Sequence, residues 1–195
     1  MTTSRFGCPG RRLLLKASAA ALLAGLLVAG CGDAADSSGG PAILPHQSPV
    51  SFGELYPQGN RDPEPGSSLR TPYEWVLLLQ SSGEAALKID KVCLVGTRED
   101  GADVSAFSVE VENQDLPATV ESRRDFGVRL TYDRQSPSAD ADQIALVVQS
   151  NATNFPTLIV PVCARVIGEG EERGSVACEA PVSVPAGESD PTLCD

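Results

Sequence analysis

An all-β fold is what the sequence predicts. From Val50 onward, short runs either alternate apolar and polar residues or are apolar throughout, and no helical periodicity survives beyond a turn or two. Turn-forming stretches fill the gaps between them: "SSGE", "GTREDGAD", "NQDLP", "RQSPSADAD" and "SNATNFP". About seven such runs over roughly 115 residues match the strand count of an immunoglobulin-like β-sandwich. In that architecture two apolar inner faces pack on each other and loops collect at both ends.

The strands follow in order along the chain. "WVLLL" (75–79) is a nearly continuous apolar run, as expected for a strand covered on both sides or near a sheet centre. "FSVEV" alternates, which places Phe107, Val109 and Val111 on one face. "FGVRLTY" does the same with Phe126, Val128, Leu130 and Tyr132. "IALVV" (144–148) and "LIVPVCARVI" (158–167) are again apolar runs. Pro161 removes a ladder donor from the last run, so that strand is expected at an edge or at a bulge. The hydrophobic fraction of 42% over 195 residues suits one packed domain with extensions.

The first 30 residues have the three parts of an export signal: a basic start with Arg5, Arg11, Arg12 and Lys16, an apolar middle, and a small-residue end. The apolar stretch "ASAAALLAGLLVAG" (17–30) is too short, at about 1.5 Å per residue, to span a hydrocarbon core of about 30 Å. It ends in "LVAGC". That ending resembles the lipobox of bacterial lipoproteins, which implies cleavage before Cys31 and a lipid on its sulfur. "GRRLLLK" (10–16) resembles the twin-arginine export motif through Arg11 and Arg12, with a general secretory signal as the alternative. Two or more acyl chains on Cys31 hold a protein stably on a membrane. Residues 31–49 are Gly/Ser/Pro-rich and read as a flexible tether, with the only histidine, His46, inside it. Localisation in the cell envelope, on the periplasmic face of a membrane or at the cell surface, follows.

Loss of residues 1–30 leaves 11 basic against 26 acidic side chains, a formal charge of −15. Such a surface keeps the domain soluble and repels nucleic acid.

The order of the body segments also resembles a family, the bacterial relatives of the ASH/MSP/hydin immunoglobulin-like domains (choice-of-anchor type). The matching pieces are Phe52-Gly53, then Ser81-Ser82-Gly83 with Leu87-x-Ile89, and then Phe107. Leu116-Pro117, the strand "DFGVRLTYDR" and Ser150-Asn151 complete the order. The resemblance covers about residues 50–167. It implies a non-catalytic interaction or scaffold module with an envelope protein as partner, and it names no ligand. Residues 168–195 form a Cys-containing C-terminal tail.

Cys8 leaves with the signal and Cys31 takes lipid, so Cys93, Cys163, Cys178 and Cys194 remain. An even count in an oxidising compartment points to two disulfides. One solution joins Cys178 to Cys194 within the tail and Cys93 to Cys163. In a standard sandwich, however, the strands of Cys93 and Cys163 flank a third, which separates the sulfurs too far. Four cysteines allow three connectivities, and the rival to the first joins Cys163 to Cys178 and Cys93 to Cys194.

Beyond His46 the domain offers no base near neutral pKa, and no nucleophile elbow, zinc motif or phosphate loop occurs, so no catalytic residue, metal site or cofactor is expected. "GEGEERG" (168–174) reads as a solvated turn, its glutamates repelling phosphate. The acidic loops with Glu99, Asp100 and Asp103 and with Asp140 and Asp142 also read as solvated turns. They supply the alternative function, a calcium-dependent adhesive or carbohydrate-binding module.

Overall fold

The computed structural model describes residues 39–57, 70–96 and 103–195. All of them lie in a unit spanning Ala35–Asp195. Among the described residues nine strands form an immunoglobulin-like sandwich: β1 (Ile43–Pro45), β2 (Val50–Leu55), β3 (Tyr73–Ser81), β4 (Leu87–Gly96), β5 (Phe107–Val111), β6 (Ala118–Val120), β7 (Asp125–Tyr132), β8 (Asp142–Ser150) and β9 (Thr157–Val166). One sheet has the order β1-β3-β7-β5 and the other β2-β9-β8-β4-β6. All pairs are antiparallel except β2–β9.

The alternating residues behave as the period of two requires. Phe126, Val128, Leu130 and Tyr132 of β7 are buried toward the second sheet, as is Phe107 of β5. Phe52, on the edge strand β2, is a hub between the sheets. Its ring lies 5.9–6.3 Å from the rings of Tyr73, Trp75, Phe107 and Tyr132, all on the opposite sheet. The bulge that follows Phe52 uses Gly53 at φ +70°, a conformation other residues adopt only with strain.

The segments that carry the family resemblance have structural reasons. Asn151 accepts from the Lys88 amide (2.7 Å) and donates its own amide to the Lys88 carbonyl (3.0 Å), tying the β8–β9 turn to β4. Gly83 leaves room for the backbone of residues 40–42, since a Cβ there would meet Ala42 N at 2.6 Å.

Three expectations need correction. The tether ends sooner than residue 49: Ile43 is fully buried and β1 belongs to the first sheet. β9 is an interior strand, flanked by β2 and β8. Pro161 is tolerated there because the Ser150–Pro156 backbone bond (2.8 Å) sets the phase in which even-numbered β9 residues hydrogen-bond to β8. The Pro161 nitrogen therefore faces β2, whose pairing begins one residue later at Val50–Val162. Finally, β3 is covered on one side only, leaving Val76 and Leu78 exposed.

β8 is covered on both sides. Ile144, Leu146 and Val148 fill the space between the sheets, while Ala145 and Val147 are buried without joining that core. The cover on their side is the tail. Disulfides Cys163–Cys178 and Cys93–Cys194 fasten it across this outer face, and the Cys178–Cys194 with Cys93–Cys163 pairing does not occur. β8 separates the strands of Cys163 and Cys93, so those two sulfurs cannot meet. Between the disulfides, Gln143 donates to the Ala177 carbonyl (2.8 Å) and accepts from the Glu179 amide (3.0 Å). Gln149 donates to the carbonyls of Asp190 and Pro191.

The two crosslinks close chain segments of 15 and 101 residues. Replacing Cys163 and Cys178 together by serine should lower unfolding free energy by about 3 kcal/mol, and replacing Cys93 and Cys194 by nearer 5 kcal/mol. Urea unfolding of the two double variants checks both the loss and its order.

Candidate interaction surface

With one outer face under the tail, the other sheet presents its outer face to solvent. Its rows are Glu74, Val76, Leu78 and Gln80 of β3, Asp125, Gly127, Arg129 and Thr131 of β7, Leu44 of β1, and Ser108 and Glu110 of β5. Leu44, Val76 and Leu78 are 50%, 42% and 36% exposed, the exposed large apolar side chains among the described residues, and all three lie on this one face. Leu78 is bare partly because its β7 neighbour is Gly127, and a Cβ at that position would come within 2.7 Å of the Glu112 carboxylate.

Charges border the apolar residues. Arg129, opposite Val76, binds Glu112 at 2.8 Å and Glu74 at 2.9 Å. These contacts, first the hydrogen bond to Glu112 and then the charge of Glu74, raise its guanidinium pKa above the ordinary value. His46 pairs with Asp125 at 3.1 Å. A polar depression of about 370 Å³ is lined by Glu110, Val111, Glu112, Asn113 and Arg129, and another of about 300 Å³ by Ser105, Ala106, Asp133 and Arg134.

The most concentrated polar chemistry lies at the rim of the core. Asp142 is fully buried and receives both forks of Arg134 (2.6 and 2.7 Å) and the Tyr132 hydroxyl (2.7 Å). Both carboxylate oxygens are thus partnered within the protein, by a bidentate guanidinium and a phenol. Burial, and then the hydrogen bond to Asp142, push the Tyr132 pKa far above its usual range. The cluster links the end of β7 to the start of β8, across a loop whose composition reads as solvated. That expectation is corrected for Asp142 and equally for Asp103, which is buried and caps a 3-10 turn by accepting from the Val104 amide (2.9 Å).

The remaining positions that the sequence singles out fall in several places. Cys31, Arg11, Arg12, Glu99 and Asp100 lie outside the described residues. Asp140 is exposed, and the "GEGEERG" stretch is an exposed turn, as expected, tied to β2 at its end: Arg173 donates to the Glu54 carbonyl (2.8 Å), and Gly174 donates its amide to the Glu54 carboxylate. Among the described residues no group of three His, Cys, Asp or Glu side chains is arranged to hold a metal ion. Gln143, Gln149, Asn154 and Arg134 escape a reading of the sequence, because their roles depend on partners distant in the chain or on a fold that brings them together.

No family model matches the chain, and no curated protein matches it. Among solved structures it is similar to a protein of unknown function from Porphyromonas gingivalis W83, at 13% identity and a TM-score of 0.46, covering 68% of this chain and 50% of that one. It is similar to the secreted serine protease VesC of Vibrio cholerae at 11% and 0.44, covering 67% and 24%. It is also similar to the human CEP192 ASH/PapD-like domain 7 at 17% and 0.40, covering 66% and 87%. The chain thus spans half of the first protein and a quarter of the second.

Asp142→Ala should destabilise the fold by about 3–5 kcal/mol, because it leaves Arg134 and the Tyr132 hydroxyl without their partner. Because the folded state holds the Tyr132 proton more tightly than the unfolded chain, the associated stability is full below pH about 10 and is lost as pH rises further. Tyr132→Phe should remove the phenolate absorbance that emerges only with alkaline unfolding.

Proposed function

We propose that this chain is a lipid-anchored cell-envelope protein, held to the membrane through Cys31, whose sandwich is a non-catalytic module that binds another envelope protein. One observation carries the reading: the two outer faces are treated oppositely. The apolar residues on one are sealed under a disulfide-fastened tail, while Leu44, Val76 and Leu78 on the other stay bare beside Arg129 and its acidic partners. A contiguous exposed apolar group rimmed by charge is the usual form of a protein-binding surface. The two disulfides support a site of action in an oxidising compartment. Net negative charge supports a protein partner over nucleic acid.

A photo-crosslinking residue at Val76 should capture one dominant protein in the native envelope, whereas the same probe at exposed Asp140 should not. With the probe kept at Val76, Leu44→Glu with Leu78→Glu should abolish that capture while leaving stability within about 0.5 kcal/mol, since both positions face solvent. Cys31→Ser should move the protein from the membrane fraction to the soluble fraction. Equal capture at Val76 and Asp140 would remove the basis of the binding reading.

A further inference from the structure

The backbone hydrogen bonds single out a second feature of the bare sheet. We propose that β5 is a docking edge, to which a partner protein adds an extended segment that alternates apolar and basic residues. This rests on the interaction reading above and names the partner chemistry.

The bonds between Glu112 N and Gly127 O (3.0 Å) and between Asp133 N and Ala106 O (2.8 Å) fix the phase of the β5–β7 pair. Even-numbered residues of β5 bond to β7. The amides and carbonyls of Val109 and Val111 therefore point away from the sheet, and among the described residues nothing bonds to them. Such an unpaired row is a template for a further strand.

The other edges are closed. β1 presents Ile43 and Pro45 outward. Asn154 accepts from the Ile43 amide (3.0 Å) and donates to its carbonyl (2.8 Å), and Pro45 has no N–H to offer. β2 is crossed by the tail, with Arg173 bonded to the outward Glu54 carbonyl at 2.8 Å. β6 has only three residues. β5 has five residues and no such cap.

The side chains define what fits. Val109 and Val111 are half-buried where their β7 neighbours Leu130 and Val128 are fully buried, so apolar residues on an added strand would complete their cover. On the outer face Glu110 is exposed. Its cross-strand neighbour Arg129 is hydrogen-bonded to Glu74 and Glu112 and acts on Glu110 only as a nearby charge, which leaves the Glu110 carboxylate with no directly paired cation among the described residues. A Lys or Arg opposite Glu110 supplies it. The charge of the chain as a whole argues against a second copy as the occupant.

The test uses the full chain, purified in detergent, and two synthetic nonapeptides, one alternating Val with Lys and the other Val with Glu. The Val/Lys peptide is expected to bind and to slow amide exchange at Val109 and Val111. Glu110→Lys is expected to weaken that binding by about tenfold. Val109→Pro, which removes an outward amide and no ladder bond, should abolish it; Glu110→Lys keeps the test informative if that variant fails to fold. The proposal is overturned by equal binding of both peptides, by binding without protection of those amides, or by concentration-dependent protection without peptide, which would identify a second copy as the occupant. No binding of the Val/Lys peptide also overturns it, yet leaves capture at Val76 intact. Loss of selective capture at Val76, by contrast, would count against the interaction reading itself.

Discussion

A strand that is apolar on both faces needs two covers, and much of this molecule follows from β8. Its residues 144–148 are all fully buried. The opposing sheet covers one set, as in any sandwich. The other set would face water if the chain stopped at the end of β9. The tail that covers it forms no strand and none of its residues is fully buried, so burial alone offsets little of its ordering entropy. Disulfides to β9 and β4 restrict the unfolded chain instead, and side-chain amides of Gln143 and Gln149 satisfy the tail backbone where a neighbouring strand would have done so.

The interior is organised at its rim as well as its centre. Phe52 reaches from an edge strand into four aromatic rings of the facing sheet, and one of these, Tyr132, continues to Asp142 and Arg134. Apolar packing thus runs directly into a fully bonded ionic cluster. The aromatic contacts are tolerant of small shifts, whereas a bidentate guanidinium–carboxylate pair is directional. The second therefore fixes how the end of β7 meets the start of β8, and with it the register of the two sheets at that end.

Much of this architecture is legible in the sequence. Alternation locates β5 and β7 together with their inward faces, because a period of two is a local property. Continuous apolar runs locate β8 and β9. They overstate the burial of β3, since a run such as "WVLLL" looks the same whether its second face is covered by another element or left bare. β1 reads as tether because three residues containing a proline carry no period, and its edge is closed by Asn154, 111 positions away. Asp142 reads as solvent-facing for a similar reason: an acidic loop composition says nothing of the Arg134 and Tyr132 that converge on one of its members. The choice between disulfide pairings turns on topology, and the placement of β8 between the two cysteine-bearing strands resolves it.

The devices that close this fold also explain where it remains open. Asn154 substitutes for a neighbour of β1, Arg173 and the tail for a neighbour of β2, and brevity limits β6. The first two are a side chain and a segment brought from far along the chain to satisfy backbone groups, and ordering them costs entropy that suppression of unwanted strand pairing offsets. If suppression were the whole purpose, β5 would need a cap as much as β1 does, since it is longer and exposes more unpaired backbone. What it carries instead is Glu110, a charge that discourages apolar or acidic strands and favours a basic one. On the binding reading proposed above, an edge left unpaired beside the sheet face that keeps Val76 and Leu78 bare is selective rather than neglected, and the two features fall on one and the same sheet.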